Sequence, residues 1–124
     1  MKTITLVFGA VYGMLSVILG AFGAHALKKI LSVERLESFE TGVRYQMYAA
    51  FFLLIIGFET SSEKWTSILM IAGTLLFSVS IYFLSLQDYL GANLKFLGPI
   101  TPLGGLFMIL SWLMLIFHFA KGRI

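Results

Sequence analysis

The chain has 124 residues, of which 59% are hydrophobic and only 12% charged, with a formal net charge of +3 and no cysteine. A soluble domain carries about twice that charged fraction, and so short a chain cannot hide this much apolar surface in one core, so lipid must solvate most of it. The missing thiol excludes disulfides, thiolate catalysis and cysteine-ligated metals. Lys and Arg scattered at segment ends read as interface anchors, not as a nucleic-acid footprint.

The first hydrophobic run, Thr3 to Leu27, lies between Lys2 and Lys28, with His25 as its one ionisable group. It is long enough to cross a hydrocarbon core, which takes about 20 helical residues. Gly9 and Gly13, then Ser16, Gly20 and Ala24, recur four apart along it. In lipid, close backbone approach at small residues supplies much of the packing energy, which predicts this helix as the post against which the others pack. Lys2, the apolar run and Ala24-His25-Ala26 loosely imitate a signal peptide. The run exceeds the usual h-region of about 7–15 residues, so it is expected to stay as a span.

Ser32 is a helix cap signal, and Leu36, Phe39 and Val43 recur at helical spacing opposite Glu34, Arg35, Glu37 and Glu40. That pattern predicts a short amphipathic helix between the first and second spans, or the water-exposed first turns of the second. The second apolar run, Tyr45 to Phe58, has only 14 uncharged residues, about 21 Å of helix against a core of about 30 Å. To cross, it must take in Arg44 at one end or Glu59 at the other, and those charges must snorkel, face a polar interior or pair.

Thr60-Ser61-Ser62-Glu63-Lys64 reads as a tight polar turn, followed by the third run from Trp65 to Gln87. A loop through Asp88, Asn93 and Lys95 leads to Gly98-Pro99-Ile100-Thr101-Pro102. Thr101 as cap with Pro102 at the first helical position signals the last helix. The expected fold is all-α, an integral membrane four-helix bundle in one domain, 1–124, with spans near 3–27, 41–60, 65–87 and 101–120.

Four crossings put both termini on one side. The opposite rim then collects His25, Arg44, Tyr45, Gln46, Tyr48, Gln87, Asp88, Asn93 and Thr101, while Glu59, Glu63, Lys64, Lys121 and Arg123 form an ordinary solvated set on the terminal side. The candidate polar pocket is His25, Arg44, Tyr45, Gln46 and Asp88. Arg44 offers a planar fork to an anion such as a lipid phosphate. His25 supplies an imidazole, the side chain that switches charge near neutral pH, and Asp88 a counter-charge. The alternative is structural: Arg44 and Asp88 tie helix ends, while Gln46, Gln87 and the tyrosines make interhelical bonds and an aromatic belt.

The structural alternative is favoured, because polar networks at helix ends are common ties. His118 and His25 lie at opposite ends, and no His/Asp/Glu cluster spells a metal site. No Gly-x-Ser-x-Gly elbow or phosphate loop is present, so neither enzyme activity nor a cofactor is expected. The partners expected are membrane lipids and either a second copy (a homo-oligomer) or another membrane protein, with no nucleic acid. Lys and Arg number four on the terminal side and five on the other; with Arg44 intramembrane the counts tie, and the positive-inside rule gives no orientation.

Three segments, Gly20-Ala21-Phe22-Gly23-Ala24-His25-Ala26-Leu27, Tyr45-Gln46-Met47-Tyr48 and Leu97-Gly98-Pro99-Ile100-Thr101-Pro102-Leu103-Gly104-Gly105, resemble the characteristic motifs of domain-of-unknown-function family 423. The resemblance runs through nearly the whole chain in order. It implies a small four-span protein of the bacterial cytoplasmic membrane, and it brings no activity, substrate or catalytic residue. One departure stands out: the family often has a His after the Tyr-Gln-Met-Tyr run, where this chain has Ala49. The resulting expectation is a non-enzymatic structural or accessory bundle; a carrier or channel for a small solute, proton or lipid headgroup is the rival.

Overall fold

A computed structural model describes residues 1–59 and 64–122. Residues 60–63 of the expected polar turn, Glu63 among them, and Arg123 lie outside the described residues. The described chain is helical throughout its long segments: α1 Lys2–His25, α2 Val33–Phe58, α3 Lys64–Thr74, a five-residue π segment Leu75–Val79, α4 Ser80–Leu90 and α5 Ile100–Ala120. Two single-turn 3-10 segments, Leu27–Lys29 and Lys95–Leu97, fill the connections at one end. Taking α3 through α4 as one rod, four helices among the described residues are long and apolar enough to cross a membrane.

Helix α2 begins where Ser32 caps it, the hydroxyl accepting the backbone N–H of Arg35 at 3.2 Å. It then runs unbroken for 26 residues, about 39 Å, longer than a hydrocarbon core. No separate amphipathic helix precedes it: the amphipathic stretch is its own first turns, because nothing between Val33 and Phe58 breaks the helix. At the far end of α4, Gly91 takes the left-handed conformation (φ 67°) that side chains resist. The Ala92 N–H then closes back on the Gln87 carbonyl at 3.2 Å, stopping the helix. Helix α5 starts earlier than expected, at Ile100 with Pro99 in the N-cap position and no side-chain cap. Thr101 is therefore not the cap and Pro102 not the first helical residue; both lie inside the first turn.

The helices alternate in direction. A side chain placed on Gly9 would meet Ala50 and Leu54, whereas one on Gly23 would meet Phe39, so α1 and α2 are antiparallel. Thr66 pairs with Ser111 and Gly73 with Gly104 in the same opposed sense between α3 and α5. The post of the bundle is α2, not α1. Nine of its 26 residues are buried, against five of 24 in α1, because it packs on α1, α3 and α4 at once. Tyr12, Ala49, Phe52, Leu53, Ile56, Met70, Met108 and Leu115 make the core. Ile4, Val7, Val17 and Ile18 of α1 and Ile109, Ile116 and Phe117 of α5 point outward, the apolar surface a bilayer would solvate.

The tightest approach joins the third rod to α5. A Cβ on Gly104 would lie 2.4 Å from the backbone nitrogen of Phe77 and 2.7 Å from the Gly73 carbonyl oxygen. The glycine is thus needed where the π segment bulges its backbone toward α5. By contrast, a Cβ on Gly20 would sit 3.6 Å from Val43, an ordinary contact.

Candidate functional site

At the rim formed by the loops 26–32 and 91–99, Arg35 occupies the place that sequence reasoning reserved for Arg44. Its Nε donates to Asp88 Oδ2 at 3.2 Å and its Nη1 to the Leu84 carbonyl at 3.3 Å, tying the first turns of α2 to the end of α4. The side chains of this pair are 37% and 73% exposed, so the bond adds about 0–1 kcal/mol. Gln87 is buried and its side-chain carbonyl accepts the Leu94 N–H at 3.0 Å, holding the loop after α4. Together with Asn93 and Lys95 these residues line a cavity of ≈ 460 Å³. Asp88 is therefore the partner of Arg35, and not of His25 or Arg44.

The other members of the expected cluster separate. Arg44 stands nine residues beyond Arg35 on α2, about 13 Å deeper along the axis. Its Nη2 donates to the Thr41 hydroxyl at 3.1 Å, and Thr41 in turn donates to the Glu37 carbonyl at 3.0 Å. The guanidinium thus reaches back toward the rim, the geometry of a snorkelling arginine. Tyr45 is half exposed and sets its ring edge against Tyr48 and Phe77, with centroids 5.5 and 5.4 Å away. His25 is exposed in the last turn of α1, where a basic group suits the negative helix end.

Gln46 goes inward. It is 4% exposed, its Nε2 donates to the Tyr12 carbonyl at 3.1 Å, and its Oε1 accepts the Tyr82 hydroxyl at 2.6 Å. Tyr12 carries the string onward, its hydroxyl donating to the Ile71 carbonyl at 2.7 Å. One string of bonds therefore laces α4, α2, α1 and α3 through the middle of the bundle. Interhelical bonds of this kind contribute about 0.6 kcal/mol each on average in a membrane, and up to about 1.7. Gln46→Leu removes two of them, and a loss of about 1 kcal/mol is expected, read as a lower thermal midpoint in detergent. An unchanged midpoint would show that the string adds nothing.

Of the small residues on α1, Gly9 lies against the Ala50 carbonyl and Leu54, Gly13 against the Ala50 methyl, and Ser16 is buried. Gly20 and Ala24 instead border a groove toward α2. Further polar ties cross the bundle elsewhere. Ser78 donates to the Gly42 carbonyl at 2.8 Å, the Ser80 and Thr101 hydroxyls bond, and Ser111 donates to the Thr66 carbonyl at 2.6 Å.

The terminal side is less ordinary than its sequence suggested. His118 is 5% exposed, and its Nε2 lies 2.6 Å from Glu59 Oε2, joining the end of α5 to the end of α2. Near the same end Thr5 donates to Ser67 at 2.9 Å. The signal was present in the sequence: Glu59 is the first charge after the shortest apolar run, and a charge there must find a partner or water. Among the described residues no three His, Asp or Glu side chains gather to hold a metal ion.

Residues 19–105 match the family model described as "Protein of unknown function (DUF423)". Relatives include the UPF0382 membrane protein SH2409 of Staphylococcus haemolyticus, 41% identical over 115 residues and covered, like this chain, to 90%. The UPF0382 membrane protein YwdK of Bacillus subtilis is 39% identical over 120 residues, covering 90% of this chain and 91% of its own. The UPF0382 inner membrane protein YgdD of Escherichia coli K12 is 32% identical over 118 residues, covering 90% and 85%. No solved structure matches the chain.

Proposed function

The chain belongs to the DUF423 family of bacterial membrane proteins of unknown function, and from that premise we propose that it is a non-enzymatic structural or accessory bundle. In this reading all of 1–124 is one four-span unit, and it acts by packing in the bilayer with copies of itself or with a membrane-protein partner. The observation that carries the proposal is the engagement of Gln46 at both ends: its amide donates to Tyr12 and its carbonyl accepts from Tyr82. The most buried polar group of the expected pocket is thereby a tie between helices. Arg44, turned back to Thr41, supports the same reading. Buried Thr74, Ser78 and Ser111 likewise donate to carbonyls of neighbouring helices or of their own.

The rival, a carrier or channel, needs Arg44 to face an enclosed wet path, and Arg44 is exposed on the outside of α2. Reconstitution decides between the two. Vesicles containing the protein are expected to hold a proton gradient as long as empty vesicles, and cross-linking in native membranes is expected to trap species larger than one chain. Arg44→Leu should change the thermal midpoint by no more than a surface substitution does, about 0.5 kcal/mol or less. A proton leak in wild-type vesicles that Arg44→Leu abolishes, with the fold retained, would overturn the proposal.

A further inference from the structure

The groove between α1 and α2 differs in chemistry from the other openings on this surface. Gly20 and Gly23 of α1 and Phe39 and Val43 of α2 form its apolar floor, with Glu40 and Arg44 on its wall, and its volume is ≈ 280 Å³. The helices do not need glycine at position 20 in order to meet, since a Cβ there would be in ordinary contact with Val43 at 3.6 Å. What the missing side chain leaves is room.

Glu40 and Arg44 stand one helical turn apart, about 5.4 Å along the axis, a spacing at which opposite charges usually meet. Here they do not: among the described residues no carboxylate lies within 4.0 Å of the Arg44 guanidinium. Both side chains are exposed. The groove thus offers a cation and an anion side by side at the margin of the hydrocarbon, each with capacity to spare.

Their order along the axis matters. Glu40 is nearer the rim and Arg44 deeper, with apolar surface deeper still. A phospholipid with an ammonium headgroup has the same sequence of chemistry from water inward: ammonium, phosphate, acyl chain. We infer that this groove binds a zwitterionic phospholipid carrying a primary ammonium, of the phosphatidylethanolamine class. Its phosphate accepts from Arg44, its ammonium donates to Glu40, and one acyl chain lies along the glycine floor. A phosphatidylglycerol could give its phosphate to Arg44, but it has no headgroup cation to meet Glu40. A phosphatidylcholine has no ammonium N–H to donate. The inference stands whether or not the bundle is a scaffold.

The test is lipid retention measured by native mass spectrometry, after reconstitution in nanodiscs containing equal parts of phosphatidylethanolamine, phosphatidylcholine and phosphatidylglycerol. Wild-type protein is expected to retain the ethanolamine lipid about fivefold or more over either competitor, the scale of one charge-assisted bond. Glu40→Gln should abolish that preference over phosphatidylcholine and raise phosphatidylglycerol relative to both. Arg44→Gln should lower all three together. Equal retention of the ethanolamine and choline lipids by wild-type protein would overturn the inference. So would a preference for phosphatidylglycerol, or an ethanolamine preference that survives Glu40→Gln. The wild-type comparison needs no variant, so a variant that fails to fold does not shield the inference.

Discussion

Gly104→Ala is expected to lower the stability of the bundle by about 3 kcal/mol, toward the upper end of the usual cost of overpacking. The new methyl would fall 2.4 Å from the Phe77 nitrogen, 2.7 Å from the Gly73 oxygen and 2.8 Å from the Leu76 carbonyl carbon. All three obstacles are backbone, so no rotamer change makes space, and α5 must move away from the third rod. In lipid that separation forfeits the packing that holds helices together. Gly20→Ala and Gly105→Ala are the controls: their methyls would find nothing closer than 3.6 Å and 3.5 Å. Thermal midpoints followed by size-exclusion chromatography in detergent would check the series. A Gly104→Ala protein as stable as the two controls would mean the crossing is looser than described.

Glu59→Ala is expected to cost about 2 kcal/mol. Leaving a buried polar group without its partner usually costs about 1–3 kcal/mol, and His118 is buried while the Glu59 side chain keeps 21% of its exposure. The loss falls on a long-range tie, since the 2.6 Å contact with His118 joins the ends of α2 and α5. Glu59→Gln, which keeps an oxygen for the ring while removing the charge, is expected to lose less. The same thermal assay separates the two variants. Equal midpoints for wild type and Glu59→Ala would sink the idea that this contact fastens the two ends.

The four rods were legible because their signal is local: long uncharged runs between Lys2 and Lys28, or from Trp65 to Gln87, can only be satisfied as helices in lipid. That Glu59 needs a partner was legible from the short apolar run before it. That the partner is His118 was not, because the two residues lie 59 apart and nothing in either neighbourhood names the other. Arg35 illustrates a subtler failure. On a helical wheel it falls with Glu34 and Glu37 on a watery face, yet a long side chain at a helix end reaches Asp88 on a neighbour. Arg44, more conspicuous at the edge of an apolar run, turns back toward the rim instead. The glycines show the same divide. Spacing marked Gly9, Gly13 and Gly20 on one helix, whereas the closest approach needs Gly73 and Gly104 from two helices at once. Leu75-Leu76-Phe77-Ser78-Val79 reads as plain helix, since no Pro or Gly marks the wider turn there.

That wider turn gives the third rod a phase. A π segment carries one residue more than the α-helix around it, and one residue corresponds to about 100° of rotation. Tyr82, Ser85 and Asp88 therefore point where they do only because the wider turn takes up that extra residue before them. Drawing those five residues into ordinary α turns, with the length unchanged, would spin everything beyond them by about 100°, more than a quarter turn. Asp88 would swing away from Arg35 and Tyr82 from Gln46. A one-residue deletion between 75 and 79 would instead be absorbed by closing the wider turn, so this is the place where the rod can lose a residue and still present the same surface of α4.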